Sequence, residues 1–257
     1  MERRVFLKGL AASLAVAHSM PQIAAALTGY LQDLAADLAS ASEPEAYWRR
    51  VGEEFILRQG RIHFNCGSIG LTPRAVVEAH KAYIDRLEDD PYPFTWSGWD
   101  DAKSEEALTK ARRFIGAREN GEMLLTRNTT EAMNLIATGI QWETGDEVLT
   151  TDHEHAGGIY CWMHMQKMAG IRVKQIHLPT PVESKAQILQ LIEDGITDRT
   201  RVVSVSHVNT TTGLRMPLAD IAAITRPRGI LLLADGAQVP GMLDLNVRDL
   251  GVAAYAS

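Results

Sequence analysis

The sequence predicts an α/β fold with a mostly parallel sheet and helices on both faces, and three observations carry that prediction. From Glu122 onward, short apolar runs alternate with helical stretches. The runs are rich in Val, Leu and Ile, the residues that suit strands buried on both faces. Polar clusters follow four of them directly, where open parallel sheets bind ligands.

In chain order, Leu27, Leu31, Leu34 and Leu38 fall three and four residues apart and mark one face of a helical region over 27–58. Arg61-Ile62-His63-Phe64-Asn65-Cys66 reads as a short strand entering the turn Gly67-Ser68-Ile69-Gly70. Pro73 suits a first helical position, and a helix is expected from there to Leu87. Asp90-Pro91-Tyr92-Pro93-Phe94 breaks it, an aromatic loop with Trp96 and Trp99 follows, and a charged helix covers 101–115. Strands are then expected at 123–125, 147–149, 172–176, 202–205 and 230–233, with helices at 131–139, 156–169, 185–194 and 217–226.

Composition sets bounds on function. The chain has 257 residues, of which 46% are hydrophobic and 23% charged, an ordinary balance for a globular domain with a sizeable core. A net charge of −6 argues against nucleic-acid binding, which needs clustered Lys and Arg on the phosphates. None of the 8 histidines stands in a zinc-ligand spacing, so no metal is expected. Cys66 and Cys161 form no disulfide framework, and each reads more readily as a small buried hydrophobe than as a nucleophile.

The N-terminus reads as an address. Arg3-Arg4-Val5-Phe6-Leu7-Lys8 matches the twin-arginine export pattern, and an apolar stretch leads to Ala15-Val16-Ala17, a candidate cleavage site. That stretch is too short and alanine-rich to span a membrane. The expected organisation is a twin-arginine signal peptide at 1–26, a helical segment at 27–60 and a large domain at 61–257. The expected location is the periplasm or beyond, with a cytoplasmic protein as the alternative.

Four clusters carry chemistry. Thr126-Arg127-Asn128-Thr129-Thr130-Glu131 opens a helix, where Thr129 and Thr130 can cap and free N–H groups can hold an anion; taken alone, the cluster reads more readily as a plain N-cap. Asp152-His153-Glu154-His155-Ala156-Gly157-Gly158 packs two histidines and two acids into a loop, with a solvated surface as the other reading. Ser206-His207-Val208-Asn209-Thr210-Thr211-Thr212-Gly213 is a polar turn, and turn chemistry alone can account for it. Ala234-Asp235-Gly236-Ala237-Gln238 places an acid directly after a buried run, where ionisation requires a cationic partner. That partner is either a ligand cation or an Arg or Lys elsewhere in the chain.

Taken together and in this order, the clusters resemble the aminotransferase class V family of pyridoxal-phosphate (PLP) enzymes, which includes cysteine desulfurases and isopenicillin-N-epimerase-like proteins. The resemblance runs from about residue 61 to the end. It is carried by Thr126 to Asn134, by Glu154-His155 with Trp162 beyond, by Ser206-His207-Val208-Asn209 with Gly213, and by Asp235-Gly236-Ala237-Gln238. The run Asp249 to Ser257 is similar to the approach to the family's S-G-H-K motif, although Ala253 stands where relatives commonly carry Asp.

The resemblance implies a fold type I large domain with PLP as cofactor. It implies that Thr129 and Thr130 hold the phosphate and that His155 stacks on the ring and relays protons, with His153 as competitor for that role. It further implies Asn209 near O3′ and the substrate carboxylate, Asp235 on the ring nitrogen, and Gln238 on O3′. The Schiff-base lysine of S-G-H-K would lie beyond Ser257, and with it the small C-terminal domain. The chain is therefore expected to be an incomplete domain, inactive as written. The reaction implied is chemistry at the α-carbon of an amino acid, with the epimerase-like branch favoured and cysteine desulfurase the alternative. A degenerate, non-catalytic binding protein is the reading from another class. The full-length protein is expected to be a homodimer.

Overall fold

The computed structural model describes residues 21–40, 44–92 and 101–257. Residues 1–20 of the expected export signal and the Trp96–Trp99 loop lie outside these residues, while 21–26 of that signal are helical. The chain divides into two compact units, one of residues 1–114 with 118–123 and the other of residues 115–117 with 124–257.

The first unit is helical. Helices α1 (Pro21–Ser40) and α2 (Pro44–Glu53) meet through buried Leu34, Tyr47 and Val51, with Leu31 packed alongside as the leucine spacing predicts. Arg50 of α2 reaches Asp37 at 2.8 Å and also pairs with Glu54, whose carboxyl is nearly inaccessible. Pro73 immediately precedes α3 (Arg74–Asp89), and α4 follows at Asp101–Ile115. The strand expected at Arg61–Cys66 does not form. Its residues have no ladder partner among the described residues, and Ile62 and Phe64 are 76% and 90% exposed. The turn after it does form, with Asn65 O accepting from Ser68 N and Ile69 N.

The second unit contains the sheet. Its strands are β1 (Glu147–Thr151), β2 (Arg172–Ile176), β3 (Thr200–Ser206), β4 (Leu231–Asp235) and β5 (Ala254–Ala256). All pairings are parallel, in the order β2-β1-β3-β4-β5. Helices α5 (Thr129–Gly139), α6 (Ala156–Ala169), α7 (Lys185–Gly195) and α8 (Leu218–Thr225) alternate with them. Parallel strands need such crossovers, because a tight turn cannot return the chain to the same end of the sheet.

Strand periodicity sorts the core into two layers. Val148, Val202 and Leu233 point to one face, where Met133 and Ala137 of α5 and Ile159, Trp162 and Met165 of α6 cover them. Leu149, Val203 and Leu232 point to the other, beneath Ile188 and Ile192 of α7 and Ile221 and Ala222 of α8. Each fully buried side chain of this size contributes roughly 1.5–3 kcal/mol relative to exposure. Trp162 adds a directional link, its indole N–H donating to Ser204 Oγ at 3.0 Å inside the core. Cys161 is buried in the same layer, as its composition suggests, while Cys66 is exposed. The strand expected at 123–125 is absent: Leu124 and Leu125 are exposed and have no strand beside them among the described residues.

Candidate cofactor site

The order of the sheet fixes where a site can lie. From β1 the chain goes to β2 on one side and then to β3 on the other, so the crossovers diverge at the carboxyl ends of β1 and β3. Ligands of open parallel sheets bind in the crevice that this divergence leaves. Three of the four polar clusters are the segments that follow β1, β3 and β4, and the fourth opens α5.

Helix α5 is capped by Asn128, whose side chain accepts from Glu131 N at 2.9 Å, while Glu131 reaches back to Arg127 N at 2.6 Å. This corrects the expectation that Thr129 or Thr130 caps the helix. The Asn side chain reaches the third helical N–H from an extended backbone, so the two threonines become the first helical residues. Their N–H groups precede any intrahelical acceptor, and with the helix dipole they form an anion cradle.

His155 caps α6, its Nδ1 accepting from Gly157 N at 3.1 Å. The next two glycines bring the clusters together. A Cβ at Gly157 would lie 2.5 Å from Thr130 Oγ1, and one at Gly158 would lie 2.6 Å from Asp235 Oδ2. Thr130, the start of α6 and Asp235 are therefore in direct contact, an arrangement a side chain at either glycine would prevent.

Asp235 is 7% exposed at the end of β4. Burial raises its carboxyl above the usual carboxylate range, with the Ala237 N–H at 3.0 Å and the charge of His155 acting in the opposite sense. No Arg or Lys pairs with it among the described residues; Arg215 bears instead on His207 and Tyr255. His153, the competitor for the role of His155, turns toward Thr180 at 3.4 Å.

Asn209, in the turn after β3, is 1% exposed, and neither atom of its amide has a hydrogen-bond partner. Buried polar groups are nearly always paired, so an unpaired amide at a strand end marks a candidate ligand contact. Gln238 reaches the same turn, donating to Thr210 Oγ1 at 2.9 Å. Thr130, His155 and Asp235 thus share one contact region, and Gln238, from the segment after β4, reaches the turn beyond β3 that carries Asn209.

Three features of the site were not assigned from sequence. Glu154 is folded inward, against the solvated reading of its loop, and accepts from Thr151 Oγ1 at 2.5 Å and from Ser206 N and Oγ at 2.7 and 2.5 Å. His207 Nδ1 contacts Tyr255 Oη at 3.0 Å, and burial pulls the imidazole pKa down to about 4. The Gly157-Gly158 pair sets the contact between helix starts. Its signal was visible as two adjacent glycines opening a helix, where such residues otherwise cost stability.

The chemistry of this donor set is specific. It offers an anion cradle, an imidazole capping the helix that touches a buried acid, that acid lacking an Arg or Lys partner among the described residues, and an unpaired amide, which fits a planar phosphorylated group with a protonated ring nitrogen. A family model described as aminotransferase class-V matches residues 70–257. Isopenicillin N epimerase of Streptomyces clavuligerus is 29% identical over 214 residues, covering 82% of this chain and 52% of that protein. A probable cysteine desulfurase of Halalkalibacterium halodurans is 28% identical over 205 residues, 76% of this chain and 48% of that protein. Among solved structures, a mutant of the cystine C–S lyase C-DES with glycine covalently linked to its PLP cofactor superposes with a TM-score of 0.67 at 25% identity, over 79% of this chain and 54% of that one. The chain spans about half the length of the curated relatives it matches.

Proposed function

The chain belongs to the aminotransferase class-V family, and from that premise we propose that it forms the cofactor-binding part of a PLP enzyme acting at the α-carbon of an amino acid. The observation that carries this reading is Asp235, a buried carboxyl with no Arg or Lys partner among the described residues. Bound PLP supplies an electron sink for charge developed at the α-carbon, and a protonated ring nitrogen beside Asp235 is what makes it effective. In this reading Thr129 and Thr130 bind the phosphate through the start of α5. His155 covers the ring and holds a proton near it, Asn209 and Gln238 orient its hydroxyl edge, and Asp235 keeps its nitrogen protonated.

Three of the described lysines are engaged with other groups. Lys174 Nζ donates to Gly195 O at 2.8 Å, Lys185 pairs with Asp220 and Lys110 with Glu106. By resemblance to the family's S-G-H-K motif, we assign the Schiff-base amine to a residue outside 21–257. Borohydride reduction of the PLP-loaded full-length gene product, followed by peptide mapping, tests this. PLP fixed to a lysine outside that range is expected, and PLP fixed to Lys174 or Lys185 contradicts the reading.

An epimerase-like reaction is favoured by the similarity to isopenicillin N epimerase. Cysteine desulfuration is the second reading, favoured by the C–S lyase likeness. Incubation with cysteine and with chiral amino acids separates them, since sulfide or persulfide appears only in the second case and loss of optical activity in the first. Homodimerisation and twin-arginine export belong to the same proposal. Size-exclusion chromatography with light scattering tests the first. For the second, a reporter fused to residues 1–30 must lose export on Arg3→Lys with Arg4→Lys.

A further inference from the structure

Glu154 lies at the point where the crossovers diverge, and the roles assigned above do not use it. It follows β1 by three residues and bonds to Ser206, the last residue of β3, so its side chain bridges the crevice between the two strands. Ser206 is in turn the register partner of Asp235 on β4. The residue after Glu154 is His155, the cap of α6, whose first turn touches Asp235 at Gly158.

We propose that Glu154 is a positioning residue for the cofactor site, acting as a hydrogen-bonded tether rather than as a charge. It holds the turn carrying His155 against the end of β3, and so sets His155 relative to Asp235. The inference rests on the PLP reading and adds to it a residue outside the cofactor's own contacts.

The hydrogen-bond pattern shows why charge is dispensable. Oε2 accepts twice from Ser206, and Oε1 faces the Thr151 hydroxyl. A protonated carboxyl satisfies the same geometry, with Oε1–H donating to Thr151 Oγ1. Burial pushes the Glu154 carboxyl above the usual carboxylate range, against the bonds from Ser206 and Thr151 that lower it, and the nearby Asp235 adds to the rise. A glutamine reproduces the set, its oxygen accepting from Ser206 and its amide N–H donating to Thr151. An alanine removes all three bonds and leaves the buried Ser206 hydroxyl without its acceptor.

The test uses the full-length gene product, PLP as the probe, and two readouts besides turnover: PLP affinity by titration, and the induced circular dichroism of the cofactor band per bound PLP. The second reports ring orientation and does not respond to a mere loss of stability. Glu154→Ala, which loses all three bonds, is expected to weaken PLP at least about tenfold and to change the induced band. Glu154→Gln is expected to restore both. A Glu154→Gln variant as impaired as Glu154→Ala overturns the proposal in favour of a charge effect. So does a Glu154→Ala variant with wild-type affinity and band. Should Glu154→Ala not fold, Ser206→Ala decides, because it removes one bond of the tether and leaves Glu154 in place; an unchanged band then overturns the proposal. An unsubstituted protein that binds no PLP overturns the cofactor reading and this inference together, whereas PLP binding indifferent to Glu154→Ala overturns this inference alone.

Discussion

The carboxylate of Asp235 rests on the first turn of α6, so close that a Cβ added to Gly158 would lie 2.6 Å from Oδ2. This contact ties the acid at the end of β4 to the helix capped by His155, and it has a measurable consequence. Gly158→Ala must push the carboxylate aside, and overpacking of this kind costs roughly 1–3 kcal/mol. Replacing a helical glycine by alanine returns up to about 1 kcal/mol. The net change in stability is therefore expected to be small, while PLP affinity falls because Asp235 no longer meets the ring. Chemical denaturation and PLP titration of one variant check both halves, and unchanged affinity would show that the contact is not part of the site.

Asn209 gives the opposite pairing of effects. Its two amide atoms are buried without a hydrogen-bond partner, and each such group costs about 1–3 kcal/mol. Asn209→Leu keeps the approximate volume and removes both groups. Thermal unfolding without PLP is expected to move to higher temperature, and PLP affinity to drop. A variant that loses stability without PLP would mean that the amide is paired in solution.

How far these contacts were legible in the sequence depends on their origin. The strands β1 to β4 and the helices between them follow from runs of apolar residues, because a strand covered on both faces leaves the same trace wherever it sits. The runs at 61–66 and 123–125 carry a similar trace but lack a ladder partner among the described residues, and pairing is a property of the whole sheet. Asp235 stood out because an acid after Leu231-Leu232-Leu233 is chemically conspicuous. Glu154 did not, since a glutamate between two histidines reads as surface until the end of β3 is known to pass beside it. The capping of α5 by Asn128 rather than a threonine turns on a one-residue shift in backbone angle that composition does not encode.

His207 sets the acid limb of stability. Burial, then the charge of Arg215, lowers its pKa from 6.5 to about 4, and Tyr255 Oη faces its Nδ1. The folded state therefore resists a proton that the unfolded chain accepts below pH 6.5. This contribution is complete above that pH and is lost as pH falls toward 4, on the order of 3 kcal/mol in all. Asp235 and Glu154 act with the other sign, because their raised pKa values make the folded state bind protons more readily than the unfolded chain as pH falls. The His207→Gln variant isolates the histidine: its stability between pH 6.5 and 4 is expected to fall less than that of the parent. Parallel curves from urea unfolding across this range would remove His207 as the cause.

Gly236 meets a harder neighbour than Gly158 does. A Cβ there would lie 2.1 Å from Cε1 of Tyr255 and 2.3 Å from its hydroxyl. The ring cannot swing clear without losing its bond to His207 Nδ1 and its edge contact with that imidazole, whose centroid is 5.8 Å away. The backbone is equally fixed, because Gly236 N donates to Ala256 O at 2.7 Å and holds β5 to the end of β4. Gly236→Ala is therefore expected to destabilise by about 3 kcal/mol or more, beyond the usual range for a small substitution. Tyr255→Ala alone costs packing and the hydrogen bond, but it empties the space the new methyl needs. The double variant should be more stable than the sum of the two losses implies, with a coupling of about 1–3 kcal/mol between residues in contact. Denaturation of the four proteins measures that coupling directly, and additive losses would mean that the Tyr255 ring does not lie over Gly236.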